Sequence, residues 1–278
     1  MPPEVLIALI CVAVLAILFI IYLILIKPAS MRGVNIDKYG KKFAHRGLWD
    51  EQAPENSLAA FQKAVDAGYG IEFDIHKTKD GHVVVFHDDT LVRMCGVEGR
   101  VEDKTLAELS ELRLKGTDQK IPLLSEMLEL VDGRVPLLVE LKGAALDTSL
   151  CPAANAILLQ YKGDYIIESF NPMLVRWYRK NRPDVVRGQL FCNLMKEKKG
   201  NKLFYFLITV LATNVLAKPH FLAYGQDSVH NLSFMICKYL YRAPAFVWTV
   251  RKQEQIPAKK RQEGYIFEGF IPADQEEI

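Results

Sequence analysis

The sequence has no C-x-x-C pair, no internal repeat, no low-complexity tract and no large excess of charge of either sign. Each absence excludes something. A formal net charge of +2 without a basic stripe argues against nucleic acid as a partner. The five cysteines, Cys11, Cys95, Cys151, Cys192 and Cys237, are odd in number and widely spaced. That pattern argues against both a disulfide framework and a zinc site, and scattered thiols suit a reducing compartment. Charge is also missing from Val5 to Ile26, an unbroken apolar run of 22 residues rich in Ile, Leu and Val.

A helix of that length spans about 33 Å, close to the hydrocarbon thickness of a bilayer. The run exceeds the ~7–15 apolar residues of a signal peptide, and no basic region precedes it. It is therefore expected to be a single-pass membrane anchor that contacts lipid through residues 5–26. Lys27, Arg32, Lys38, Lys41 and Lys42 follow it, whereas only Glu4 and the α-amino group stand before it. By the positive-inside rule the rest of the chain is cytoplasmic. Lys41 and Lys42 fit the folded domain equally well, which leaves an extracytoplasmic orientation open. Residues 1–30 read as anchor and linker, with Pro28 and Gly33 marking the linker's course to Tyr39. Residues 31–278 are long enough for one large α/β domain.

Within that domain strands alternate with helices. Strands are expected at Phe43–Gly47, Gly70–His76, Pro136–Lys142, Tyr165–Phe170, Val185–Leu190, Phe221–Tyr224, Ala245–Val250 and Gly264–Phe270. Ser57 is an expected N-cap for a helix closing at Gly68. Eight strands separated by helices predict a (β/α)8 barrel of the TIM type behind one transmembrane helix. In Gly70–His76, Glu72, Asp74 and His76 alternate with Ile71, Phe73 and Ile75, so ionisable and apolar side chains face opposite ways. Asp80-Gly81 signals a hairpin. A two-residue turn there sets His87 directly across from Asp74; a separate strand at Val83–His87 also brings His87 to the carboxylates. His76 and His82 read as surface residues of this hairpin. Lys202–Ala217 (KLFYFLITVLATNVLA) is a second apolar stretch, either a buried barrel helix or a membrane-facing one, too short at 16 residues for a span.

Strand carboxyl ends face the mouth of such a barrel. His45, Arg46, Glu72, Asp74, His87, Glu140 and Lys142 all fall there. Three converging carboxylates repel one another unless a cation sits between them. Oxygen-only ligation by Glu72, Asp74 and Glu140 suits Mg²⁺ or Ca²⁺. Arg46 and Lys142 suit an anionic ligand, and His45 and His87 suit proton transfer. These are the groups that phosphoester cleavage needs.

The motifs AHRG, PENS, EFDIHKTKDGHVVVFHDDTLVR, IPLLSEML and LLVELK, in that order over residues 43–142, resemble the glycerophosphodiester phosphodiesterase family. SFNP at 169–172 and WTV at 248–250 are similar more loosely. The resemblance implies a (β/α)8 barrel, His45 and His87 as acid and base, metal ligation by Glu72, Asp74 and Glu140, and phosphate contact by Arg46 and Lys142. It also implies that Asn56 braces the site. Arg251, where the family commonly has Asn, and the ending GYIFEGFIP depart from its pattern and leave the alcohol side of the pocket open. Trp248 packs there against glycerol or alcohol, or in the core. The expected reaction is hydrolysis of a glycerophosphodiester to glycerol 3-phosphate and an alcohol. Two alternatives are a lysophospholipase D acting on lysophospholipids at the membrane, and a catalytically dead, membrane-anchored binding protein.

Overall fold

A computed structural model describes residues 1–144, 146–197, 201–257 and 263–273. Helix α1, Pro3–Ile26, leads into a sheet whose strands are β1 (Lys42–His45), β2 (Gly70–Lys77), β3 (Val83–Val85), β4 (Leu137–Leu141), β5 (Tyr165–Ser169), β6 (Arg187–Phe191), β7 (Phe221–Gly225), β8 (Ala245–Val250) and β9 (Glu263–Phe267). β1 pairs in parallel with both β2 and β9, so eight strands close into a barrel. β3 is antiparallel to β2 and stands outside the ring. Helix α2, Leu58–Asp66, begins as expected: Ser57 Oγ accepts from the Ala60 amide.

The expected alternation separates two cores. Ile71, Phe73 and Ile75 pack outward into the layer shared with the helices. A second cluster fills the barrel axis, with Phe43, Leu138, Ile166, Phe221, Phe246 and Ile266 among its members. Phe246 makes edge contacts with Phe43 and Phe221 at ring separations of 5.8 and 5.2 Å. Two glycines make room for these rings. A Cβ on Gly188 would lie 2.2 Å from Phe221, and one on Gly264 would lie 2.3 Å from Phe246. Ile36 and Tyr39, in the segment expected as linker, are buried in the same cluster at the amino end of the barrel.

Three local expectations change. The β2–β3 register pairs Ile75 with Val85, and Phe86 N donates to Asp74 O, so Phe86 rather than His87 stands across from Asp74. The cause is the turn: Thr78 N donates to His82 O, which leaves Lys79, Asp80 and Gly81 as a three-residue loop. His76 is not a surface residue. It is buried, and its Nε2 lies 3.2 Å from His87 O. The stretch Lys202–Ala217 is two helices, Lys202–Thr209 and Asn214–Ala217, split at Leu211, whose φ is +56°. Tertiary bonds hold the halves to different partners. Thr209 Oγ1 donates to Cys192 O, and Asn214 Nδ2 donates to Ile26 O.

The last turn of α1 is fixed to the barrel. Tyr241 OH donates to Leu23 O, Asn214 Nδ2 and Cys237 Sγ reach Ile26 O, and Tyr22 OH pairs with Ser233 Oγ. The bonds to Leu23 O and Ile26 O occupy carbonyls that a helix end leaves open.

Filling the axis leaves no slack. Gly188→Ala should cost about 1–3 kcal/mol by overpacking against Phe221. Urea unfolding measures it, and Phe221→Leu in the same chain should recover part of the loss.

Candidate active site

The inward positions of neighbouring strands bring the acids together. Asp74 is registered with Glu140, and Glu140 with Glu168. Glu72, Asp74 and Glu140 are buried, and each offers an oxygen within 4.8 Å of the others. Lys142 Nζ lies 2.9 Å from Asp74 Oδ1 and 2.6 Å from Glu140 Oε1. Glu168, overlooked in the sequence, sits beside them with 1% exposure, and its Oε2 has no hydrogen-bond partner.

The charges are unevenly settled. Burial pushes the Glu72 carboxyl well up, and Asp74, Glu140 and Glu168 push it the same way. Burial and Glu140 likewise raise Glu168. Burial raises Glu140 against the pull of Lys142. Burial opposes charge on Asp74 too, but Lys142, His87, Arg46 and the Asn56 amide outweigh it and hold Asp74 well below the usual range. The set carries more carboxylates than its cations neutralise. An oxygen-only donor set under that strain fits a hard divalent cation, which would let all three ligands ionise together.

Two histidines flank the acids, and each is oriented by a carboxylate. His45 Nδ1 lies 2.5 Å from Glu268 Oε2. His87 Nδ1 lies 2.6 Å from Asp88 Oδ1. With Nδ1–H donated to a carboxylate, each ring turns Nε2 to the other side, and that of His45 lies 3.9 Å from Glu72 Oε2. Burial lowers the His45 pKa, although Glu268 works to raise it. Burial would raise Glu268, but His45 and Arg251 outweigh it and hold that carboxyl at about 2. Asp88 is held low against burial by His87 and Arg93.

Arg46 and Asn56 both take left-handed backbone, with φ of +61° and +58°. Reciprocal constraints hold them there. Arg46 N donates to Glu72 O, and Asn56 N donates to Arg46 O. Strain of roughly 1–3 kcal/mol per residue persists only where the surroundings impose it. The result aims Asn56 Nδ2 at Asp74 Oδ2, 2.9 Å away. Arg46 Nε lies 3.6 Å from Asp74, and its Nη1 is 2.6 Å from Glu55. Arg93 also grips Glu55 and, through Asp88, reaches His87. Trp248 stands edge-on to Phe170 at 5.6 Å. Both line a cleft of about 460 Å³ with His87, Glu140, Lys142 and Leu194.

Glu55, Asp88, Arg93, Glu168 and Glu268 join the site without having been expected from the sequence. Asp88 was visible as the neighbour of His87, and Glu168 as the lone acid in the apolar strand YIIES. Glu268 had no local signal. It lies beyond β9, on the inward face it shares with Ile266, and closes on a histidine 223 residues earlier.

The family profile for glycerophosphoryl diester phosphodiesterases matches residues 45–271. A glycerophosphodiester phosphodiesterase of Caldanaerobacter subterraneus is 36% identical over 168 residues, which are 55% of this chain and 68% of that protein. A lysophospholipase D of Mus musculus is 32% identical over 239 residues, 76% of this chain and 75% of that one. Among solved structures, an Oleispira antarctica phosphodiesterase in complex with the product sn-glycerol-3-phosphate has a TM-score of 0.66 at 23% identity. That match covers 83% of this chain and 93% of the other. The barrel, the order of its motifs and a profile running from His45 to the end of the last strand all agree: the chain belongs to the glycerophosphoryl diester phosphodiesterase family.

Proposed function

We propose that this chain hydrolyses glycerophosphodiesters to glycerol 3-phosphate and an alcohol, with a divalent cation held by Glu72, Asp74 and Glu140. The observation that carries the proposal is the meeting of those three buried carboxylates within 4.8 Å, beside two histidines whose Nδ1 atoms are both committed to carboxylates. Bound there, Mg²⁺ or Ca²⁺ supplies Lewis-acid polarisation of the phosphoryl oxygens. Arg46 and Lys142, already drawn toward Asp74 by charge, bind the same anionic group from the protein side. One of His45 and His87 takes a proton at Nε2 from the nucleophile, either water or the glycerol 2-hydroxyl, and the other gives one to the leaving oxygen; where the 2-hydroxyl attacks, water then opens the cyclic phosphate to glycerol 3-phosphate. Burial lowers the His45 pKa against the pull of Glu268, which favours the neutral ring and the accepting role. Glu268 and Asp88 hold each ring and offset the imidazolium charge as it forms.

A second substrate class has its own support. The cleft wall formed by Phe170, Leu194 and Trp248 is apolar, which suits a substrate whose glycerol carries an acyl chain, and the Mus musculus relative bears the name lysophospholipase D. The 24-residue helix α1 has a mean hydropathy of 3.4 over its most apolar window, and its first 19 residues are exposed. Lys27, Arg32, Lys38, Lys41 and Lys42 after it, against only Glu4 before it, favour reading it as a single-pass span with residues 31–278 on the cytoplasmic side.

His45→Ala and His87→Ala should each lower kcat by about 10²–10⁴-fold with an unchanged melting temperature; wild-type turnover in either would remove that residue from proton transfer. Glu72→Gln should raise the Mg²⁺ or Ca²⁺ concentration needed for half-maximal rate. Chelation should abolish turnover of glycerophosphocholine, and a titration of each ion into the stripped protein identifies the preferred one. Glu268→Gln keeps the shape but loses the charge behind His45. It should lower kcat by roughly 10–100-fold while leaving the metal requirement near that of the wild type.

A further inference from the structure

We infer that the rim of the barrel beside β6 and β7 rests on the lipid surface, so that the mouth of the active site faces the leaflet that α1 enters. The inference rests on reading α1 as a membrane span and adds the orientation of the barrel to it.

The observations lie at the carboxyl ends of β6 and β7. Helix Lys202–Thr209 is tied there by Thr209 Oγ1 to Cys192 O, just past β6. Asn231 Nδ2 donates to Thr209 O and joins it to the helix that starts at Leu232, just past β7. On these two helices Leu203, Phe206, Leu232 and Met235 are exposed, at 68, 48, 66 and 39%. Met195, exposed at 36%, follows Leu194, which lines the active-site cleft. Leu203 and Phe206 are three apart, as are Leu232 and Met235, so each pair shares a helix face. Clustered apolar exposure of this kind marks a surface that meets something.

The course of α1 identifies the occupant. Tyr22 bonds to Ser233, next to Leu232 at the mouth end. Four residues later Ile26 O meets Asn214 and Cys237, and Ala29 N reaches Pro219 O just before β7 begins. The helix thus runs down the side of the barrel, and its free part, Pro3–Ile21, extends past the mouth. Those 19 residues measure about 28 Å, the thickness of a hydrocarbon core at ~30 Å. With that part in the bilayer, the hydrocarbon boundary falls at Tyr22 and so at the level of Leu232. The exposed side chains then enter the interface, where apolar faces sink roughly 5–10 Å. An aqueous protein partner would have to compete with the bilayer for the same height.

The test is fluorescence quenching of the full chain in phosphatidylcholine vesicles with brominated acyl chains. Phe206→Trp and Leu232→Trp are compared with Leu159→Trp, an exposed site at the far end of the barrel just before β5, and with Phe19→Trp inside α1. The emission of the parent chain is subtracted throughout. Tryptophan at 19, 206 and 232 should lose roughly half its emission, and tryptophan at 159 almost none. Quenching at 19 alone would overturn the orientation and leave the anchor standing. No quenching at 19 would remove the anchor and the orientation together.

Discussion

Mutual repulsion among buried carboxylates is the constraint on which the rest of this structure depends. Glu72, Asp74, Glu140 and Glu168 occupy inward positions of three adjacent strands, and parallel pairing leaves them no way to turn aside. Water cannot screen them at this depth, so each must be neutralised by a proton or by a fixed cation. Lys142 answers two of them, Arg46 leans on Asp74, and Asn56 supplies a neutral donor. Surrounding acids in turn hold the cations and the imidazoles: Glu55 on Arg46, Asp88 on His87 and Glu268 on His45. The site is a set of alternating charges radiating from one unfavourable centre.

That geometry explains why function and stability are set apart along the barrel axis. Toward the amino ends of the strands the interior is rings and aliphatic chains, with Gly188 and Gly264 accepting Phe221 and Phe246. Toward the carboxyl ends it is acids and bases. The aromatic layer costs nothing in unpaired polar atoms and supplies a rigid base, which the strained Arg46 and Asn56 backbones require.

Much of this was legible before any coordinates. Alternation in Gly70–His76 put Glu72 and Asp74 on one face, and strand ends collected His45, His87, Glu140 and Lys142. What escaped was set by geometry that a single stretch does not contain. A three-residue loop in place of a two-residue one moved Phe86 opposite Asp74, yet His87 still reaches the acids because the chain leaves the ladder before it. His76 reads as polar and peripheral, but the insertion after β3 covers it through the His87 carbonyl. The break at Leu211 follows from bonds to Cys192 and Ile26, both remote in sequence. Glu268 partners His45 only because closing the barrel sets β9 beside β1.

The aromatic floor has a kinetic consequence. Phe43, Phe221 and Phe246 block the axis, and Ile36 and Tyr39 pack into the same cluster at the amino end. Among the described residues, this cluster fills the axis at its amino end. Whatever is cleaved departs through the doorway by which its successor arrives, so spent fragments that linger occupy the seat of the next molecule. Such a chamber works by turns, and accumulated product competes directly with fresh substrate.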